Sequence, residues 1–421
     1  MNAMNGLRIE QDIRLEPKVY LLPDGITIDA DNVTLDGQGA TVIGTDKTGE
    51  GVRVQGRRNI VIRNLHVRNY YHGISIQNSH EIEIQNCTVT STSELPSNTL
   101  FLDIWKPASE AYGAGIFLNE VTHANIHAND MQHQMNGVLS YHCKGLRVSN
   151  NTANYCSGFG FHLYKTCDSI FTDNYADYCC RYYLSEAGSH MGADAAGFLI
   201  VYKSCNNIFR GNYARLGGDG FFLAGLTPDG INVGCNDNLF EENDASYSPN
   251  NAFEGVFSTG NIYRGNKANH SNYGFWLGFS SDCTITNNQM YGNRQAGIAV
   301  ENGRKFKVLN NDIQNNEHGI LIWTRSYEFL KGVPHMNPTS SDWLIEGNRL
   351  VQNRKAIRIA ANQNHGIRPL EEEPSSIPPQ NHRIQNNEIR DNLIGIELEK
   401  VKDTQIARNI LDNVVTNVDE K

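Results

Sequence analysis

The sequence has no unbroken apolar run long enough to cross a membrane as a helix, so nothing in it reads as a transmembrane span. Its opening, MNAMNGLRIEQDIRLEPKVY, lacks the basic start and continuous apolar core of a secretory signal. A cytoplasmic location is expected on that ground, with a trimmed secreted form as the alternative. No run of Lys or Arg occurs, and the 421 residues carry a net charge of −10. Nucleic acid, a polyphosphate or an anionic membrane would be repelled over most of such a surface, so none is expected as a partner. The nine cysteines are an odd number and do not pair like a disulfide framework. They are expected to be thiols, and no metal and no cofactor are expected.

Glycine is abundant, with 38 residues, and it marks a repeat. Short apolar runs start at Gly51, Gly73, Gly115, Gly137, Gly160, Gly197, Gly220, Gly274, Gly297, Gly319 and Gly395, with further starts at Ala252 and Ile357. Each unit has the same grammar, as in GVRVQ, GISIQ, GIFLN, GFHLY, GFFLA and GILIW, followed by a second β-rich run such as NIVIRN, EIEIQN or FKVLNN. Alternation of this kind is strand. A unit of about 22 residues cannot enclose a core alone, so neighbouring units must stack and bury a shared one. The pattern of a leucine-rich repeat is absent. A parallel β-helix, with three short strands per rung and rungs about 4.8 Å apart, fits better.

Asparagine recurs after the second run, at Asn64, Asn86, Asn151, Asn174, Asn212, Asn266, Asn288 and Asn311. Stacked on one axis, these predict a ladder, because Asn tolerates a left-handed turn and its amide bonds the rungs above and below. Cys143, Cys167, Cys205 and Cys283, like Cys156 and Cys179, follow the rung period and are read as small packed hydrophobes.

On these residues the chain resembles the right-handed β-helix repeat proteins of the pectate-lyase-like group, with the CASH and NosD-type carbohydrate-binding and sugar-hydrolase repeats. The resemblance covers roughly residues 25 to 416. It implies an all-β fold: a single-stranded right-handed parallel β-helix, a solenoid of about 13 rungs with loop insertions flanking one sheet. Residues 1–24 are then an N-terminal cap, 25–416 the β-helix domain and 417–421 a tail. The resemblance is specific for fold and not for reaction, since lyases, polygalacturonases, epimerases, fructotransferases, tailspikes and a copper-maturation protein share it. The NTD, GHG and RIK elements of polygalacturonases and the DPH element of mannuronan epimerases are missing.

In the glycine-led strand the first and third residues after the glycine are apolar and point inward, so the second and fourth are expected to face solvent. The second position runs Arg53, Ser75, Phe117, Leu139, His162, Leu199, Phe222, Glu254, Trp276, Ala299, Leu321, Arg358 and Glu397, and the fourth adds Asn119, Tyr141, Tyr164, Glu301 and Trp323. An apolar stripe with embedded polar groups needs a cover, either a ligand, a loop or another subunit. Departures from the period at 94–113, 181–195, 226–236, 325–341 and 362–381 would wall a groove along both edges of this sheet.

Such a groove suits an oligosaccharide or polysaccharide, stacked on Trp276, Phe222, Tyr141, Tyr164, Phe117 and Trp323 and bonded by Asn119, Glu301 and Lys165. Asp219, Glu254 and Asp194 are the catalytic carboxylates expected there. Glu254, between Phe222 and Trp276, should be protonated and act as general acid, with Asp219 as base or nucleophile. That predicts a glycoside hydrolase or an intramolecular glycosyl transferase. A lyase or uronate C5 epimerase centred on His162 and Tyr164 is the second reading, and a non-catalytic carbohydrate-binding scaffold is the third. His190 beside Asp194 is read as an ordinary surface histidine rather than a metal ligand. A homodimer or homotrimer, joined along the sides, is also anticipated.

Overall fold

The computed structural model describes residues 5–96, 102–185, 188–191, 195–325, 336–361 and 377–420, with the backbone alone at 182–185 and 188–191. Asp194 and most of the 325–341 and 362–381 insertions lie outside the described residues. The chain divides into two compact units, Met1–Asp219 and Gly220–Lys421.

In the first unit the glycine-led strands stack in parallel, one per rung: Leu7–Ile9, Ile26–Ile28, Glu50–Gln55, His72–Gln77, Ala114–Asn119, Val138–Tyr141, Phe159–Tyr164 and Ala196–Val201. The register is strict: Ile116 pairs with Val138, Val138 with Phe161, and Phe161 with Phe198. A second sheet stacks Arg58–Arg68, His80–Gln85, Thr122–His127, Arg147–Ser149, Ile170–Thr172 and Ile208–Arg210 in the same sense. Inward side chains such as Ile116, Leu118, Phe161, Leu163, Phe198 and Ile200 are fully buried, as the alternation predicts. The rings of Phe161 and Phe198 stack at 4.8 Å, so identical positions on successive rungs make the core.

The second unit repeats the scheme with Asp219–Ala224, whose first residue is the last of the first unit, and then Asn251–Val256, Tyr273–Trp276, Ala296–Glu301, His318–Thr324, Lys355–Ala361, Ile394–Glu399 and Thr416–Glu420. Phe221, Phe253 and Phe275 stack inside it at 5.1 and 4.9 Å. A further parallel sheet, Gln289–Tyr291 through Ile410–Asp412, completes its later rungs. The chain is therefore all-β and a right-handed parallel β-helix, as the repeat implies. It has more rungs than the glycine-led count, because Leu7–Ile9, Ile26–Ile28 and Thr416–Glu420 each add one.

The leading glycine has a steric cause. A Cβ on Gly160 would lie 2.5 Å from Ala176 Cβ and 2.7 Å from the Gly197 carbonyl, so a side chain there would push the rungs apart. Asparagine has the other structural role. In the first unit the Asn129, Asn151 and Asn174 amides donate to Asn151, Asn174 and Asn212 at 2.9, 3.0 and 2.9 Å. In the second, Asn243, Asn266, Asn288, Asn311, Asn348, Asn387 and Asn409 continue in the same way.

Two details differ from expectation. The left-handed residue is the one before the ladder asparagine, for example Asn150, Asp173 and Asn287, and the ladder asparagine itself is not left-handed. Asn64 and Asn86 are left-handed turn residues of this kind and not ladder members: Cys87 follows Asn86, and its N–H donates to the Asn129 amide oxygen at 3.0 Å.

Candidate functional site

In the first unit the outward column is not open. Phe117, Leu139, Tyr141, His162, Tyr164 and Leu199 are all buried, although they point away from the core. The insertion before Ala114–Asn119 folds back over them. Leu102 is buried, the Tyr71 hydroxyl donates to Ala111 O at 2.8 Å, and Trp105 meets the Tyr202 ring at 6.1 Å. Alternation correctly assigns the face, but a face is not exposure once a loop covers it.

His162 lies 5.2 Å from the Tyr141 ring, 5.4 Å from Phe159 and 6.5 Å from Tyr164. Among the described residues neither ring nitrogen finds a hydrogen-bond partner, and burial pushes the pKa down to about 3. The ring is neutral and enclosed at neutral pH, the reverse of a groove-facing base. Tyr141 and Tyr164 stand in register at 5.2 Å, with burial raising both phenols. Phe117 stacks on the buried His72 at 4.4 Å, and Asn119 is half-buried beside Tyr141. Lys165 is exposed, with its ammonium over the Tyr202 ring at 4.9 Å. Asp219 begins its strand fully buried, its N–H donating to Ala195 O at 3.1 Å, and so has none of the groove-edge exposure expected of it.

The second unit is more open. Glu254 stands in register between Phe222 and Trp276, and all three are half-buried. Burial pushes its carboxyl up to about 7, against the lowering effect of a hydrogen bond from the Asn251 amide. Near neutral pH this group exists both protonated and ionised, which is the condition for a proton donor. Around it, Trp276 meets Tyr273 at 4.8 Å and Trp323 at 5.4 Å, and these rings pack with Ala296, Ala299 and Leu321 in one cluster. Glu301 accepts from Trp323 Nε1 at 2.9 Å and lies 3.8 Å from Arg325, so it is buried and held. From rung and residue spacing, its backbone is about 12 Å from that of Glu254.

Thus Phe222, Glu254, Trp276, Glu301 and Trp323 share one surface of the second unit, while Phe117, Tyr141, His162 and Tyr164 are gathered under a loop in the first. Asp219 and Glu254 fall in different units. Asn251 and Tyr273 were missed by the sequence reading, although both occupy the recurring place just before the strand-leading residue.

The cysteines also separate. Cys143, Cys156, Cys179 and Cys283 are buried as expected, but Cys167 and Cys205 are only half-buried. These two stand in register on neighbouring rungs, three residues before the paired Ile170 and Ile208. The Cys205 N–H donates to Cys167 Sγ at 3.3 Å, and the Cys205 thiol does so too. Those hydrogen bonds pull Cys167 down to about 6, whereas the hydrogen bond with the Cys179 thiol, and then burial, push Cys156 well up.

A right-handed parallel β-helix of this repeat defines the class, and a family model fits almost the whole chain. The model described as periplasmic copper-binding protein (NosD) matches residues 23–213 and 206–421, and the chain belongs to that family. Among curated proteins, none matches the sequence. Solved structures similar to it include the A-module of the Azotobacter vinelandii mannuronan C-5 epimerase AlgE4, at 11% identity over 98% of this chain and 91% of that one, with a TM-score of 0.43. The periplasmic alginate epimerase AlgG is similar at 11% identity over 96% and 85%, with a TM-score of 0.44. The catalytic domain of a GH87 α-1,3-glucanase is similar at 10% identity over 96% and 61%, with a TM-score of 0.43. At such identities the likeness concerns the fold.

The metal in the family description can be set against the donor atoms present. Among the described residues no group of three or more His, Cys, Asp or Glu could hold a metal ion. The Cys167–Cys205 pair supplies two sulfurs, a donor set that fits copper in its soft monovalent state and not a four-coordinate divalent ion.

Proposed function

We propose that this chain is a carbohydrate-active enzyme whose second unit holds a sugar against Trp276 and Tyr273, with Glu254 as the proton donor. The observation that carries this reading is a carboxyl raised to about 7 on a partly open surface between aromatic side chains. Trp and Tyr faces suit the C–H faces of a sugar, and a protonated carboxyl suits the oxygen of a departing glycosidic bond. Within that class, glycoside hydrolysis or intramolecular glycosyl transfer is the reaction that uses such an acid. The lyase or epimerase reading needs an accessible base, and burial of His162 argues against that centre.

The test is a panel of neutral and uronate-containing oligosaccharides, followed by reducing ends and ultraviolet absorbance together. New reducing ends that disappear in Glu254→Gln support the reading. Full activity in that variant refutes it, an absorbing unsaturated product moves the chemistry to a lyase, and binding without turnover favours a scaffold.

Copper handling is the second reading, brought by the family description. The observation that favours it is the half-buried, in-register thiol pair of Cys167 and Cys205.

A further inference from the structure

We infer that Cys167 and Cys205 together form a two-coordinate binding site for a monovalent copper ion, an inference that rests on the copper reading above. The rung geometry makes the pair. Neighbouring rungs stand about 4.8 Å apart, and in-register side chains at one turn position leave the sheet side by side. Cys167 and Cys205 occupy such positions, and their thiols are in hydrogen-bond contact.

The site is reachable, since both residues are half-buried at a turn, between the exposed Lys203 and Asn206 on one rung and beside the exposed Asp168 on the other. It is also prepared for a cation. Cys167 Sγ is 3.3 Å from the Cys205 N–H and, as a thiol, donates to Lys203 O at 3.2 Å. Removing its proton costs one weak hydrogen bond and leaves a sulfur facing two donors. Thiolate sulfur selects soft ions, and two sulfurs satisfy monovalent copper where a divalent ion would need further ligands.

The charges balance. A copper(I) ion meets one thiolate and one thiol, two Cu–S bonds form, and the Cys205 proton leaves to solvent, giving a bis-thiolate complex of charge −1. Lys144 pairs with Cys167 on the rung below, and its ammonium sits 3.2 Å from Asp168. That ammonium is already paired with the Asp168 carboxylate, so the complex keeps its charge of −1 at a turn that meets solvent. Cys156 and Cys179 provide a control within the same fold: their thiols are also in contact, but both are fully enclosed, so an ion cannot reach them without opening the core.

The full-length protein, reduced and kept free of oxygen, would be titrated with copper(I) buffered by a coloured competing chelator. Thiolate-to-copper charge-transfer absorbance in the ultraviolet would be followed alongside. The expected result is one copper per chain with that absorbance. Cys167→Ser and Cys205→Ser should each weaken it at least 100-fold while keeping the wild-type circular dichroism. Cys156→Ser should leave it unchanged. If the wild type takes up no copper, the inference and the copper reading fall together. If it takes up copper that both serine variants retain, the site assignment falls and the copper reading stands. Loss in Cys156→Ser, with the two half-buried thiols intact and the fold unchanged, would also overturn the assignment.

Discussion

Replacing Glu254 by Gln should stabilise the protein above pH 7 and leave it unchanged near pH 4. In the fold the carboxyl is raised from 4.5 to about 7 by burial, against the hydrogen bond from Asn251. Below the unfolded value both states carry the proton, and the group costs nothing. As pH rises through the folded value, the unfolded chain has already released its proton and the folded chain is forced to, so stability is lost between pH 4.5 and 7. The full loss is about 3 kcal/mol, an upper figure because the residue is only half-buried. Gln keeps the shape and an acceptor for the Asn251 amide and never ionises, so it should recover that amount at high pH only.

At about 2.1 cal/mol/K per residue, the recovery is about 3 °C in Tm if the whole chain melts together. It rises to about 7 °C if the second unit melts alone. The assay is thermal unfolding by circular dichroism of wild type and Glu254→Gln in steps from pH 4.5 to 8.5. A Tm difference that does not change with pH would refute the reasoning, because an ionisation penalty cannot be independent of ionisation.

Asn288→Ala should cost about 2–6 kcal/mol, because it orphans the buried Asn266 N–H and Tyr263 carbonyl that the side chain serves at 2.8 and 3.0 Å. Chemical denaturation would show this, and a loss near zero would mean that the ladder is ornamental. His162→Leu should hold or raise stability at pH 7, since it removes two buried nitrogens without partners. It should also flatten the acid limb. A histidine pushed from 6.5 down to about 3 costs the fold stability as pH falls through that range, because the unfolded chain binds the proton first. Unfolding midpoints between pH 3 and 7 test this, and an unchanged acid limb counts against it. The same variant should keep full activity on any sugar that Glu254 processes, and loss of turnover with intact folding would return His162 to the chemistry.

The repeat was legible because its causes are local. A glycine where Gly160 meets the Gly197 carbonyl, an alternating run and an asparagine after it recur every 22 or 23 residues, and each follows from the spacing between rungs. The inward residues, from Ile116 to Phe275, follow from the same alternation. The raised pKa of Glu254 was legible too, since Phe222 and Trp276 are its partners on the adjoining strands as the repeat alignment places them.

Accessibility was not. Whether the outward face at Phe117 and His162 meets solvent depends on the path of the insertion that brings Leu102 and Ala111 back across it, and no periodicity encodes a path. The one-residue offset between Asn86 and the ladder arises where Cys87 takes the ladder place, a substitution invisible until the rungs are stacked. The cysteines show the division most sharply. By sequence spacing Cys156 and Cys179 share position nineteen of successive rungs, whereas Cys167 and Cys205 fall seven and eight residues after Gly160 and Gly197, and only the pairing of Ile170 with Ile208 brings those two into register. Only the tertiary structure seals the first pair in the core and turns the second toward solvent, because exposure is a property of what the rest of the chain packs against.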